Sequence, residues 1–172
     1  MQNLLFNANG RIQRNRYWQG MVILTVVSVL VVAATAMLSQ FLGILAWLVI
    51  YPYICVHGKR LHDAGTTAWW VIGIFFGSLV LNFIFGLLLG PMFMDAETLA
   101  IQQEMAERMS AGDLQGVLEG AEILGQKLLP LNIVAVIGSN AILAMIVGSL
   151  ATEPRANKHG PVPGAAHGDT FG

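Results

Sequence analysis

Charge is scarce in this sequence. Only 11% of its 172 residues are Asp, Glu, Lys or Arg, while 55% are hydrophobic; a soluble domain averages roughly 25% charged. A chain this apolar cannot cover a water-facing surface, so its surface is expected to face lipid. Cysteine is nearly missing as well. Cys55 stands alone inside an apolar run, which excludes an intramolecular disulfide and a thiolate metal cage. Basic residues are few and flank the apolar runs, leaving no footprint for nucleic acid. The runs also lack a carboxylate or base at mid-depth, which a proton-coupled transporter normally needs. No cofactor, no resident metal and no enzymatic activity are expected.

What the chain does have is four long apolar runs: Trp18 to Leu38, Phe41 to Val56, Trp69 to Gly90, and Leu128 to Ala151. Crossing a bilayer core takes about 20 apolar residues, with a range of about 17–25. Three runs meet that length, and the second reaches it by extending through Gln40 or His57. The first run follows three arginines and contains the small-residue stretch Ala34-Thr35-Ala36. It is nevertheless longer than a signal-peptide core of about 7–15 residues, so it reads as a retained helix.

Charge placement sets the expected topology. Arg11, Arg14, Arg16, Lys59, Arg60, Arg155 and Lys158 all fall on one side if four helices span. Between the third and fourth runs lie Asp95, Glu97, Glu104, Glu107, Asp113, Glu119 and Glu122, against only Arg108 and Lys127. The positive-inside rule then puts both termini in the cytoplasm of a bacterial inner-membrane protein and the acidic segment outside. The predicted fold is all-α: a four-transmembrane-helix bundle over residues 1–151 with an external helical insertion at 94–127. A flexible, Gly- and Pro-rich tail at 152–172 completes the chain.

The insertion carries apolar residues at helical spacing, Ile101, Met105 and Met109, then Leu114, Leu118, Ala121 and Leu124. A break at Ser110–Asp113 divides it into two helices, with Asp113 as a cap for the second. It is either a solvated cap with its stripe on the bundle or lipid, or a docking surface for a partner. Within the spans Asn82, Asn132, Ser139 and Asn140 are expected to face the bundle interior as helix glue. Gly73/Gly77, Gly86/Gly90 and Ala144/Gly148 permit close packing, and Pro52 is placed to kink its helix.

Three motifs are candidates for chemistry. In Gly10-Arg11-Ile12-Gln13-Arg14-Asn15-Arg16-Tyr17-Trp18, a helix would put Arg11, Arg14 and Trp18 on one face, either to anchor topology or to hold lipid phosphates. Lys59-Arg60-Leu61-His62-Asp63-Ala64-Gly65, followed by Trp69-Trp70, reads as a polar loop between helices. There Asp63 braces the turn against Arg60 or His62, or a His62–Asp63 pair carries chemistry. His57 and His62 are five apart, which is poor spacing for two metal ligands on a helix. Asn157-Lys158-His159-Gly160-Pro161-Val162-Pro163 forms the third, in the tail.

Taken together the three motifs resemble the bacterial domain-of-unknown-function 805 family, YhaH-like small inner-membrane proteins. Gly10, Arg11, Arg14, Tyr17 and Trp18 match that family's first motif. Arg60, Leu61, His62, Asp63, Gly65, Trp69 and Trp70 match its central one, and Asn157, Lys158, Gly160, Pro161 and Pro163 its tail, where His159 replaces the usual aromatic. The resemblance covers the first ninety residues and the tail. It implies that the segment from Asp95 to Lys127 is an insertion, and it brings no reaction.

All three motifs fall on the same side of the deduced topology. One composite patch is therefore expected, with Arg11, Arg14, Arg60 and Lys158 around His62 and Asp63, and Trp18, Trp69 and Trp70 at its membrane rim. Its surplus positive charge favours anionic lipid headgroups, with a membrane-protein partner or a second copy as other occupants. A scaffold or adaptor is the leading reading. A small transporter or channel subunit is the alternative, and a membrane enzyme using His62 and Asp63 the third.

Overall fold

The computed structural model describes residues 2–164. Among them are seven α-helices: α1 (Gln2–Leu5), α2 (Arg14–Met37), α3 (Leu45–Asp63), α4 (Trp70–Leu89), α5 (Ala96–Ser110), α6 (Leu114–Lys127) and α7 (Leu129–Ser149). Four segments are long and apolar enough to cross a membrane: Arg14–Met37, Gln40–Asp63, Trp70–Met92 and Leu129–Ser149. At about 1.5 Å per residue each spans roughly the 30 Å of a bilayer core. No residue in the apolar window of α4 is buried within the protein. Large side chains such as Phe76, Phe83, Leu87 and Leu88 stand exposed along it. A patch of this extent belongs against lipid.

Helix α2 packs along α3 and α7, and α7 along α4, whereas contacts of α3 with α4 and α7 are sparse. The best-packed core gathers at one end of the bundle, where Tyr17, Met21 and Leu24 of α2 meet Val56 of α3 and Ala144 and Val147 of α7. We call this the motif end, because all three sequence motifs lie there. At the opposite, hairpin end, α5 and α6 pair. Asp95 and Asp113 cap them by accepting from the Thr98 and Gly116 amides. Gln40 Nε2 donates to Ala121 O, tying the hairpin to the α2–α3 turn. Leu114 and Leu118 of the predicted stripe are exposed and take no part in the α5–α6 contact. Gly116 and Gly120 face Arg108 and Met105 of α5 instead.

Two local expectations are corrected. The second span begins with a 3-10 turn at Gln40–Ile44, and its helix runs through Pro52 to Asp63, well past Val56. Lys59 to Asp63 are therefore helical and not a loop; the turn is only Ala64 to Trp69. Helix α2 starts at Arg14, so Arg11 lies in an extended arm before it and shares no helix face with Arg14 and Trp18. Of the small-residue pairs, Ala144/Gly148 sits in a helix contact. A Cβ at Gly148 would lie 3.1 Å from ring atoms of Tyr17 and of Trp18, whereas a Cβ at Gly86 or Gly90 would meet no neighbouring element within 4 Å among the described residues.

Gly148→Leu should therefore overpack the α2–α7 seam and cost about 1–3 kcal/mol, while Gly86→Leu should be near neutral. Unfolding in mixed detergent micelles separates the two, and equal losses would contradict this packing.

Candidate functional site: a buried arginine–aspartate node

Helix α3 ends on a turn that needs glycine. Gly65 has φ of 74°; its amide donates to His62 O, and the Thr66 amide donates to Leu61 O. This left-handed cap closes the last turn of α3. It also leaves room for the tail, because a Cβ on Gly65 would sit 2.8 Å from Glu153 Oε2.

The cap fixes Asp63, whose side chain is fully buried. Arg11 donates to Asp63 Oδ1 from Nε at 3.2 Å and from Nη2 at 3.1 Å. Arg60 pairs with Oδ2 through Nη1, and the Thr152 hydroxyl donates to Oδ2 at 2.7 Å. Two guanidiniums thus share one carboxylate, and the excess positive charge is met by backbone carbonyls. Arg11 donates to Glu153 O at 2.7 Å and Arg155 O at 2.8 Å. Arg60 donates to Gly148 O and Leu150 O, and Arg14 donates to Ser149 O between them at 3.4 Å. Those carbonyls belong to the C-terminus of α7, where unpaired acceptors and the negative end of the helix dipole favour cations. Lys59, also buried, does the same for α1, donating to Asn3 O and Leu4 O.

The tail from Thr152, expected to be flexible, is seated on this node up to the last described residue, 164. The Glu153 amide donates to Asp63 O at 2.8 Å. Asn157 Nδ2 donates to His62 O and Glu153 Oε2. Asn157 and Gly160 bridge a tight turn, and Gln13 Nε2 donates to Pro163 O. The physical reason is the buried charge: Arg11 needs the tail carbonyls. Residues 165–172 of the expected tail lie outside the described residues. His62 donates from Nδ1 to Gly10 O at 3.2 Å, and its ring stacks on His159 with centroids 3.5 Å apart. Burial, then the Lys158 and Arg11 charges, hold the His159 ring below the ordinary histidine range.

The structure therefore splits the expected patch. Arg11, Arg60, His62 and Asp63 come together inside the node. Arg14 and Lys158 stay exposed at its edge. Trp18 is half exposed against α7, and Trp69 and Trp70 stand exposed at the start of α4. Sequence reasoning missed Thr152, Glu153 and Asn157 as partners of the node, and Lys59 as the cap of α1. It also missed Tyr17–His57, hydroxyl to Nδ1 at 3.2 Å. Tyr17, Lys59 and Asn157 lie inside the three motifs, which was their signal; Thr152, Glu153 and His57 offered only polarity at the edge of apolar runs. His57 and His62 engage separate networks.

A second feature lies deeper. A cavity of about 460 Å³ opens among α2, α3, α4 and α7, its walls mostly aliphatic and aromatic, with Tyr53, His57, Asn82, Ser139 and Asn140 among its polar lining. Asn82 Nδ2 donates to Ser139 Oγ at 3.1 Å, and Asn140 Nδ2 donates to Tyr53 Oη at 2.6 Å. Asn82, Ser139 and Asn140 thus link helices, as expected of helix glue, whereas Asn132, expected to do the same, is exposed and does not face the bundle interior.

A family model described as a protein of unknown function, DUF805, matches residues 5–161, and the chain belongs to that family. No curated protein and no solved structure matches it. The match runs through the α5–α6 segment and ends inside the docked tail, so the node lies wholly within it.

Removing one partner from a buried pair of this kind costs about 3–5 kcal/mol. Asp63→Asn should lose that much stability, and Arg60→Met less when added to Asp63→Leu than alone. A double-mutant cycle in detergent measures the coupling, and strictly additive losses would remove the node. The tail should also respond to acid. His159 has its affinity for protons lowered by docking, so its contribution is complete above the ordinary histidine pKa of about 6.5 and is lost as pH falls below it. Lys158, Arg11 and Glu153 face it, with the stacked His62. A nitroxide at position 158 should be immobile at pH 8 and mobile at pH 5, with a smaller change in His159→Phe; equal mobility at both pH values would contradict this.

Proposed function

We propose that this member of the family is a non-enzymatic scaffold or adaptor of a bacterial inner membrane, with cytoplasmic termini and an exposed basic rim that holds anionic lipid headgroups. The observation that carries the reading is what the node leaves outside. Arg14, Arg16, Arg155 and Lys158 are exposed at the motif end and join no ion pair among the described residues, whereas Arg11 and Arg60 are consumed by Asp63. The motif end carries seven basic side chains, and the hairpin end seven acidic ones against two basic. By the positive-inside rule this supports cytoplasmic termini and an external α5–α6 hairpin. The exposed Trp18, Trp69 and Trp70 suit the headgroup level, where indole rings are favoured. Arg60, buried to the last atom, serves as brace and not as lipid ligand. The cavity contains no Asp, Glu, Lys or Arg in its lining, and the histidine there, His57, is engaged by the Tyr17 hydroxyl.

Each base near an anionic leaflet contributes about 1 kcal/mol. Replacing Arg14, Arg16 and Lys158 together by Gln should thus weaken phosphatidylglycerol binding by about a hundredfold, measured by native mass spectrometry from mixed micelles, with phosphatidylcholine unaffected. Unchanged phosphatidylglycerol retention would leave these cations as topology anchors only. Reporter fusions after Gly65 and Gly112 test the orientation separately, and an externally labelled Gly65 would overturn it.

A further inference from the structure

The cavity among the spanning helices is not simply greasy. Its polar lining has valences that the protein leaves open, and these can be counted. Tyr17 is fully buried, and its hydroxyl has one hydrogen-bond partner among the described residues, His57 Nδ1. A buried phenol donates, so Nδ1 accepts and the proton of the imidazole sits on Nε2. That Nε2–H has no protein acceptor among the described residues. The side-chain amides are used on one side only. Asn82 spends both N–H groups on Ser78 O at 2.8 Å and Ser139 Oγ at 3.1 Å, and the carbonyl of Ser78 fixes that orientation. Asn140 spends both on Tyr53 Oη and Thr25 Oγ1. Each leaves its Oδ1 carbonyl without a protein donor among the described residues. Around one free donor and two free acceptors, the rest of the wall is Val, Ile, Leu, Ala and Phe, with Tyr53 and three serines.

The position of this seam narrows the occupant. His57 lies six residues, roughly 9 Å, below the end of α3, and Asn140 nine residues, roughly 14 Å, below the end of α7. A charged headgroup cannot be carried that far into an apolar medium without a partner, and the lining has no Lys, Arg, Asp or Glu. A ketone or ester could use the His57 donor but not the two carbonyls. A hydroxyl accepts from Nε2–H and donates to an amide oxygen, and it carries no charge. The sparse contact between α3 and α4, flanked by the half-exposed Ile54, Ile72 and Phe75, leaves a lateral way in from lipid. The volume falls within the about 300–1,000 Å³ of small-ligand sites.

We infer that this cavity is a binding site for an uncharged long-chain alcohol drawn from the lipid phase, its hydroxyl accepting from His57 Nε2–H and donating to one of the Asn82 and Asn140 carbonyls, and its chain along α3 and α4. The inference is independent of the basic rim and of the topology. It is tested with purified full-length protein in maltoside micelles and a hexadecanol that carries a diazirine on its chain. Photolabel should map to the α3 and α4 walls. Unlabelled hexadecanol should displace it about tenfold better than hexadecane or palmitate at equal mole fraction, the worth of about one net hydrogen bond. Ser78→Phe, which fills the cavity, should abolish the label while keeping the wild-type unfolding transition. Asn82→Leu should narrow the preference for alcohol over alkane. Competition by hexadecane as effective as by hexadecanol, or label spread evenly along lipid-facing α4, would overturn the inference, and neither result depends on a variant that must fold.

Discussion

A carboxylate buried among two guanidiniums sets the terms for the motif end. Burying one charge in a low-dielectric interior is prohibitive, and burying three is tolerable only when each has a partner and most of its remaining donors or acceptors are used; in this node Arg60 Nε is left without a partner among the described residues. Asp63 accepts from Arg11, Arg60 and Thr152, which accounts for the carboxylate but leaves a surplus positive charge. That surplus is met by carbonyls that exist in the right place only if the chain has folded: the frayed end of α7 for Arg60, the tail for Arg11. The ion pairs therefore cannot form one at a time. The N-terminal arm, the end of α3, the end of α7 and the tail assemble together or leave a buried charge unpaired.

This constraint orders the rest of the molecule. Because Arg60 and Arg14 cap consecutive carbonyls of α7, α2, α3 and α7 are pinned at one depth, and the tight core of Tyr17, Val56 and Ala144 follows beneath them. Helix α4 has no such anchor; it leans on α7 and leaves a gap toward α3. The cavity lies where the pinning stops. The end is thus closed by charge pairing and the interior opened by its absence, and the cations left over form the rim that faces the headgroups in the proposed function.

The architecture was legible because its signals are additive. Four apolar runs, the acidic block between the third and fourth, and the break near Asp113 each report on many residues at once, and a helix fell on each predicted segment, the second running on to Asp63. The meeting of Arg11 with Arg60 and Asp63 was also readable, since all flank helix ends on one side. Whether those charges would be solvated or buried was not. Arg14 and Arg11 look alike in sequence, yet one is exposed and the other enclosed. The difference lies in tail carbonyls more than a hundred residues away, which hydropathy does not register. The same blindness made a Gly- and Pro-rich tail read as loose, although Gly160 and Asn157 are the turn that lets it return to His62. A cavity was beyond reach as well, since a void is a property of packing and not of any residue.

If the node is one cooperative unit, amide hydrogen exchange in detergent should show residues 9–13 and 152–160 protected to a similar degree. Both segments should lose protection together in Asp63→Asn while α5 and α6 exchange as before. Exchange of 152–160 at the rate of an unstructured peptide in the wild type, or release of only one of the two segments in the variant, would contradict the account.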